Sequence, residues 1–233
     1  DFVSLKFKDV DFSYKNSKNK TINNLNLEIN SKNIYGIYGS SGAGKTTFVD
    51  IFLKFLEPTN GKILYNNKID FINDINISDW HSKISYIPQK ITFLNTTILE
   101  NITMEQNIDK IDLDKFNFAL RLSRSNIFID NLENGIYYEI GESGIKLSGG
   151  QLQRIAIARS IYFDRKIIIL DEATNALDVK VEKEILEDLK KIKGEFTIII
   201  ITHKESVLDY CNCLLYLDNG NLRMKNNENY NDF

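Results

Sequence analysis

The clearest chemistry in the sequence lies in a glycine-rich run at positions 39–47 that ends in a lysine and two threonines. The run has the spacing G-x-x-x-x-G-K-[ST], in which glycines let backbone N–H groups approach phosphate oxygens. In this pattern the lysine reaches the β- and γ-phosphates, and the hydroxyl after it coordinates magnesium. The residues are Gly39, Ser40, Ser41, Gly42, Ala43, Gly44, Lys45, Thr46 and Thr47. They predict a loop that binds a nucleotide.

A strand before this loop and a helix after it would hold it in position. Residues 34–38 form a short, mostly apolar run that fits a buried strand, and apolar residues from Phe48 to Leu56 recur at helical spacing. The start of a helix adds unpaired N–H donors and the positive end of its dipole. We expect this helix to end near Glu57 and Pro58. The alternative, a turn that precedes a helix by chance, is disfavoured by both flanking elements.

A second glycine-rich segment, Leu147-Ser148-Gly149-Gly150-Gln151, precedes apolar residues at helical spacing between Leu152 and Ile161. The segment predicts another helix N-terminus of the type that binds an anion, although serine before two glycines is also an ordinary helix cap. The apolar residues 167–170 then predict a buried strand of the parallel type, and two carboxylates, Asp171 and Glu172, follow it directly. Ligands of open parallel sheets bind at that edge.

The remaining pattern predicts an α/β protein. Apolar and polar residues alternate from Phe2 to Tyr14, which is typical of half-exposed strands, and further strand patterns cover residues 61–65, 84–87, 197–202 and 213–217. Helical patterns cover residues 98–132 and 179–192. We expect a phosphate-loop core with a mostly parallel sheet, an N-terminal antiparallel β subdomain and an inserted α-helical subdomain.

Composition narrows the function. The chain has 233 residues, a formal net charge of −3 and no long block of Lys or Arg, so nucleic acid is not expected as a direct partner. No run approaches the roughly 18 apolar residues of a membrane span. Cys211 and Cys213 have no neighbouring ligands for zinc, so we interpret them as packing residues. The chain begins at Asp1 rather than Met, which favours the interpretation that it is a piece of a larger protein.

The order of these motifs resembles the nucleotide-binding domain of ATP-binding cassette transporters over nearly the whole chain. Residues 39–47 look like the family's phosphate loop, residues 147–151 like its signature sequence, residues 167–172 like its magnesium strand with the catalytic acid, and residues 176–178 like its D-loop. The resemblance implies one domain over residues 1–233. Its β subdomain and ATP-binding core would cover about 1–89 and 160–233, and its helical subdomain about 90–159.

Two other stretches resemble the exporter subfamily. Residues 139–144 are similar to a segment that exporters use near their membrane helices, and residues 93–102 resemble the exporter pattern before the helical subdomain. Two positions depart from the family pattern. Ser143 stands where arginine is often found, and Asn175 stands where serine usually precedes the D-loop.

The resemblance implies ATP and Mg²⁺ as ligands and assigns a role to each matching residue. Asp171, Thr46 and Gln89 would hold magnesium, and Glu172 would be the general base that activates water. Lys45 and His203 would contact the γ-phosphate. Tyr14 would stack on adenine, although an aromatic residue at a strand end is also an ordinary core residue.

The resemblance also implies a second chain. One chain offers two phosphate-type helix starts and one lysine-bearing loop, and in the family two domains pack head to tail. Ser148, Gly149, Gly150 and Gln151 of one domain, with Asp178 of the D-loop, would then complete the ATP site of the other. ATP would join the pair, and hydrolysis would release it.

The expected function is ATP hydrolysis that powers a membrane exporter or flippase at the cytoplasmic face of a membrane, the inner or plasma membrane in a bacterium. The membrane domain would be fused to this chain or be a separate subunit, and the exporter-like stretches with the missing Met favour fusion. Two alternatives are a soluble cassette ATPase in DNA repair or translation and a regulatory module without turnover. The cargo stays open among lipid, lipid-linked sugar, peptide and drug.

Overall fold

The computed structural model describes residues 2–15, 17, 19–192 and 194–226. Its strands are β1 (Ser4–Phe12), β2 (Ile22–Asn30), β3 (Ile34–Tyr38), β4 (Asn60–Tyr65), β5 (Ile69–Asp70), β6 (Ile84–Ile87), β7 (Ile167–Asp171), β8 (Thr197–Ile201), β9 (Cys213–Asp218) and β10 (Asn221–Asn226). Its α-helices are α1 (Lys45–Phe52), α2 (Phe71–Asp74), α3 (Ile77–His81), α4 (Ile98–Thr103), α5 (Leu113–Leu122), α6 (Asn126–Ile129), α7 (Gly149–Tyr162), α8 (Val179–Lys191) and α9 (Glu205–Leu208). Short 3-10 helices cover Ile108–Lys110, Gly135–Tyr137 and Glu142–Gly144.

The chain divides into two compact units. The first unit takes the residues up to Ile84 together with those after Ile192, and the second unit runs from Ser85 to Ile192. Each unit has its own buried apolar residues, for example Phe7 and Phe48 in the first and Phe116 and Ile155 in the second.

The N-terminal sheet of the first unit is antiparallel, as predicted. Its strand order is β2-β1-β4-β5, and Phe7 on β1 pairs with Leu27 on one side and Ile63 on the other. The three side chains are buried, which places one face of this sheet in the core. Asn66 and Asn67, both with positive φ, form the turn between β4 and β5.

The first unit also contains parallel strands. β3 lies between β8 and β9 and runs parallel to both, while β10 returns antiparallel beside β9. Every residue of β8 is buried, as expected for a parallel strand covered on both faces. The predicted α/β class, with an antiparallel N-terminal sheet and a mostly parallel second sheet, is therefore confirmed.

The helix after the phosphate loop is shorter than predicted. α1 ends at Phe52 instead of near Glu57, and Lys54 has a φ of 61°. The carbonyl of Phe52 accepts from the Trp80 indole N–H at 2.7 Å, and that of Leu53 contacts Nε2 of His81 at 2.6 Å. Side chains of α3, a helix that the sequence analysis did not predict, thus satisfy carbonyls at the end of α1.

The second unit is mainly helical. The segment predicted as helical, residues 98–132, consists of α4, α5 and α6, which are separated where Met104 and Arg124 take positive φ values. Arg159 on α7 ties the preceding loop to this group, because its guanidinium donates to the carbonyls of Asn101 at 2.6 Å and Thr92 at 3.3 Å. Burial holds the pKa of Arg159 below its ordinary value.

None of the helices in the described ranges combines the length and apolar character needed to cross a membrane. Cys211 and Cys213 are free thiols, the first buried and the second half-buried. The burial of Cys211 agrees with the interpretation of this residue as a packing residue, whereas Cys213 on β9 is only partly covered.

Candidate nucleotide site

The phosphate loop takes its shape from backbone that only glycine fits. Gly39 has a φ of 151°, and a Cβ there would lie 2.0 Å from the carbonyl oxygen of Leu217. Gly44 has a φ of 105°, and its Cβ would lie 2.8 Å from the carbonyl oxygen of Thr21. The loop is thus packed against neighbouring backbone at both ends. Between them, a Cβ on Gly42 would meet no atom of the described residues within 4 Å.

The lysine of the loop lies against the loop itself. Nζ of Lys45 donates to the carbonyl oxygens of Gly39 at 2.8 Å and Ser40 at 2.9 Å. Gly44 is the N-cap residue of α1, and no side chain of the described residues caps this helix start. The ammonium group and the first N–H groups of α1 belong to the same turn of chain, which is the arrangement that binds phosphate.

Tyr14 is held at the loop by a hydrogen bond. Its hydroxyl lies 3.1 Å from Oγ1 of Thr47, which is buried in the first turn of α1. The Tyr14 ring is 47% exposed and meets Phe12 edge-on at 4.9 Å. A half-exposed ring fixed beside a phosphate loop can present a face to a base.

His203 lies at the same end of the parallel strands as the loop. It follows β8, is exposed, and comes directly after Thr202, whose N–H donates to the carbonyl of Ile37 at 3.0 Å. Ile37 belongs to β3, the strand that leads into the phosphate loop. Tyr14, Lys45 and His203 of the first unit therefore lie toward the end of β3 that leads into the phosphate loop.

The two predicted carboxylates lie at the end of β7 in the second unit, and each accepts a hydrogen bond. Asp171 accepts from the hydroxyl of Tyr86 at 2.9 Å. Oε2 of Glu172 accepts from Nε2 of Gln89 at 2.9 Å and from Nδ2 of Asn175 at 3.0 Å. Glu172 has a φ of 51°, an uncommon value for a residue that is not glycine. Such backbone strain is often found at functional sites.

Gln89 was predicted at this site from its sequence context, whereas Tyr86 and Asn175 carry no sequence signal as contacts of the carboxylates. Tyr86 lies 85 positions from Asp171, and no sequence spacing signals a pair so far apart. Asn175 was noted only as a departure from a pattern, although a separation of three residues allows it to reach Glu172 across a turn.

The signature segment is a helix cap, which was one of its two interpretations. Oγ of Ser148 accepts from the N–H of Gln151 at 3.3 Å, and Oε1 of Gln151 accepts from the N–H of Ser148 at 2.8 Å. This reciprocal capping box starts α7. Ser148 and Gly149 remain exposed, so the cap is also a surface.

The D-loop packs beside the signature in the same unit. The N–H of Ala176 donates to Oε1 of Gln153 at 2.9 Å, and Asp178 caps α8 by accepting from the N–H of Val181 at 3.0 Å. Residues 148–151, Arg154 and residues 176–178 line a cavity of about 310 Å³. Burial lowers the pKa of the Arg154 guanidinium, and the nearby Asp178 acts in the opposite direction. The second unit thus joins the signature and the D-loop into one concave surface.

The two exporter-like stretches are also neighbours in the second unit. Thr97 and Glu139 form an antiparallel bridge, the N–H of Ile98 donates to the carbonyl of Tyr138 at 3.0 Å, and the N–H of Ile140 donates to that of Thr96 at 3.1 Å. Two segments about 40 positions apart in the sequence therefore form one structural feature.

The predicted magnesium ligands supply oxygen donors of the right kind. A hydroxyl, an amide and a carboxylate, from Thr46, Gln89 and Asp171, are hard oxygen ligands, and Mg²⁺ commonly takes one or two carboxylates with substrate phosphates. In the part of the chain that the structure describes, His, Cys, Asp and Glu form no cluster of three or more suited to a metal. The residues present fit an ion that arrives with a phosphate.

Comparison with known proteins gives consistent matches. The family model described as "ABC transporter" matches residues 22–175. A putative export ATP-binding/permease protein of Rickettsia typhi is 41% identical over 94% of this chain and 38% of its own length. An ATP-dependent lipid A-core flippase of Ralstonia nicotianae is 33% identical over 94% of this chain and 37% of its own. The chain therefore spans under two fifths of the length of these relatives.

A solved structure gives the same result. The structure of a bacterial Atm1-family ABC exporter with ATP bound matches 98% of this chain and 39% of its own, with a TM-score of 0.87 and 30% identity.

Proposed function

The chain belongs to the ABC transporter family, and on that premise we propose that it is the ATP-hydrolysing motor of an exporter or flippase. The observation that carries this proposal is the pair of carboxylates at the end of β7, of which Glu172 is held by two amide donors. A module that only bound nucleotide would have no use for a carboxylate oriented in this way.

ATP binding is assigned to residues 39–47 and Tyr14. The backbone N–H groups of the loop and the start of α1 would bind the phosphates, and Lys45 would contact the β- and γ-phosphates. The Lys45 ammonium group donates to two loop carbonyls in this structure. When ATP binds, phosphate oxygens would take the place of these carbonyls as its hydrogen-bond acceptors. Tyr14 would stack on adenine with the ring that its bond to Thr47 fixes.

Magnesium binding is assigned to Thr46, Gln89 and Asp171. The bound ion would neutralise charge across the β- and γ-phosphates. Within the chain, the hydroxyl of Tyr86 orients the Asp171 carboxylate by its 2.9 Å hydrogen bond. A carboxylate that is already oriented loses less conformational freedom when it binds a ligand.

Hydrolysis is assigned to Glu172 as general base, with His203 and Lys45 as contacts of the γ-phosphate. The carboxylate would take a proton from water as the water attacks the γ-phosphorus and the bond to the β-phosphate breaks. The amides of Gln89 and Asn175 donate to the ionised carboxylate, which is the form that accepts a proton.

A second copy of the domain is the proposed protein partner. The surface made by the signature and the D-loop includes the exposed residues Ser148 and Gly149 at the start of α7. The lysine-bearing loop belongs to the other unit of the chain. In this proposal residues 148–151 and Asp178 of one chain complete the ATP site of the other. The helical subdomain of about residues 90–159 carries the signature.

A membrane domain is the other proposed partner. The relatives named for export or lipid flipping are more than twice as long as this chain, and one type is named an ATP-binding/permease protein. We infer that this motor works at the cytoplasmic face of a membrane with helices that are fused to it or that belong to a separate subunit. The bridged segments 96–98 and 138–140 are the proposed contact region.

The test is steady-state hydrolysis of ATP by the purified chain and by Glu172→Gln, with ATP binding measured in parallel. The substitution keeps the size of the side chain and removes the base, so turnover should fall by about a hundredfold or more while the affinity for ATP stays within a few-fold. Turnover that is unchanged in Glu172→Gln would contradict the assignment of the base.

A further inference from the structure

Asn175 is linked to Glu172 twice. Its backbone N–H donates to the carbonyl oxygen of Glu172 at 3.2 Å, which closes a turn of the loop after β7. Its side-chain Nδ2 donates to Oε2 of the same residue at 3.0 Å. The first bond shapes the loop, and the second fixes the direction of the carboxylate.

The orientation of the Asn175 amide follows from the chemistry of its partner. An ionised carboxylate only accepts hydrogen bonds, so the nitrogen of the amide must face Glu172. The consequence is that Oδ1 of Asn175 is buried and has no hydrogen-bond partner among the residues that the structure describes. A buried acceptor in that state is destabilising. The orientation of this side chain therefore holds the carboxylate at a cost to the stability of the fold.

The second donor to the carboxylate comes from a different part of the chain. Gln89 follows β6 and reaches Oε2 from a segment 83 positions away, whereas Asn175 belongs to the same turn as Glu172. Any displacement of the Gln89 segment leaves the bond from Asn175 in place. The two amides are therefore not equivalent, because only Asn175 moves with the base.

We propose that Asn175 is a positioning residue for ATP hydrolysis, which holds the Glu172 carboxylate in its productive direction whether or not Gln89 is bonded to it. This inference rests on the proposed role of Glu172 as general base. It assigns Asn175 no contact with ATP, so the residue acts on turnover and not on nucleotide affinity.

The experiment compares Asn175→Ala and Asn175→Asp with the unchanged chain. The alanine variant loses one charge-assisted hydrogen bond, so we expect kcat to fall about tenfold with KM for ATP within twofold. The aspartate variant has the same size and places a second carboxylate beside Glu172, so its kcat should be lower still. The melting temperature of Asn175→Ala should not decrease, because the unpartnered acceptor is removed.

Asn126 is a matched control in the same unit. Its Oδ1 is also buried and has no hydrogen-bond partner in the described part of the chain, but the residue lies at the start of α6, outside the proposed site. Asn126→Ala should therefore leave kcat unchanged, so a loss of turnover in Asn175→Ala cannot come from deleting a buried amide as such.

A double-substitution cycle with Gln89→Ala tests the shared oxygen. Either donor alone can hold Oε2, so the double variant should lose more activity than the product of the two single losses. Three outcomes would overturn the inference. The first is a double variant whose loss equals the product of the single losses, and the second is an unchanged kcat in Asn175→Ala. The third is a fall in kcat that is accompanied by a lower melting temperature. Turnover of Glu172→Gln separates the two proposals, because activity in that variant contradicts the base itself, whatever Asn175 does.

Discussion

The phosphate loop of the first unit and the loop at residues 171–178 of the second unit are held in shape by different interactions. In the phosphate loop, Gly39 and Gly44 have positive φ and approach the backbone of Leu217 and Thr21 too closely for any side chain. In the second loop, the functional residues are held by hydrogen bonds that involve side chains, such as the bond that Gln89 donates to Glu172.

This difference matches the chemistry proposed for each region. A loop that binds phosphate through N–H groups needs a fixed backbone, and steric exclusion fixes it without regard to any single side chain. A carboxylate that receives a proton needs a fixed direction, which hydrogen bonds to its oxygens provide here. We therefore expect ATP binding to be lost when the backbone of the first region is disturbed. Turnover should fall stepwise as individual side chains of the second region are removed.

The largest effect is expected from Gly39→Ala. The new Cβ would lie 2.0 Å from the carbonyl oxygen of Leu217, so the loop or β9 must move. We expect the free energy of unfolding to fall by more than about 3 kcal/mol, with loss of ATP binding. Urea denaturation and nucleotide titration measure the two effects.

Gly42→Ala is the matched control for this prediction. Gly42 also has a positive φ, of 78°, but its Cβ would meet no atom within 4 Å. Only the backbone strain of about 1–2 kcal/mol remains. Equal losses of stability in the two variants would mean that close packing is not what fixes the loop.

A smaller effect is expected from Ser148→Ala in the second region. The substitution removes one half of the capping box at the start of α7, which should lower the free energy of unfolding by about 1 kcal/mol. Thr97→Ala is the control, because Thr97 caps α4 in the same unit by accepting from the N–H of Glu100 at 3.2 Å. Chemical denaturation should give similar losses of stability for the two variants.

ATP hydrolysis distinguishes the two caps. Turnover should fall in Ser148→Ala, whose hydroxyl belongs to the proposed ATP site, and should persist in Thr97→Ala. Equal turnover in both variants would show that Ser148 acts only as a cap.

The sequence allowed the phosphate loop to be predicted because its constraint is local. Glycine, lysine and threonine at fixed spacing describe a backbone shape and its donors together. The turn at Asn66 and Asn67 was predictable for the same reason, since asparagine tolerates the positive φ that such a turn requires. The α/β class followed from the alternation of apolar strands with helical patterns.

The contacts between distant side chains could not be predicted. Tyr86 reaches Asp171, and Gln153 reaches the N–H of Ala176, only because the chain folds them together, and neither pair has a signal in its spacing. The end of α1 at Phe52 has the same explanation. The indole of Trp80, 28 positions later, satisfies a carbonyl at that end, while the helical spacing of apolar residues continues to Leu56.

The most direct test of the proposed ATP site, in which the phosphate loop of one chain meets the signature of another, is light scattering of purified Glu172→Gln. Blocked hydrolysis should trap the ATP-bound pair, so we expect the mass of two chains with ATP and magnesium, and of one chain without them. Ser148→Arg in the same background should bind ATP and remain a single chain. A Glu172→Gln chain that binds ATP but stays single, or one that pairs equally well with arginine at position 148, would contradict the shared site.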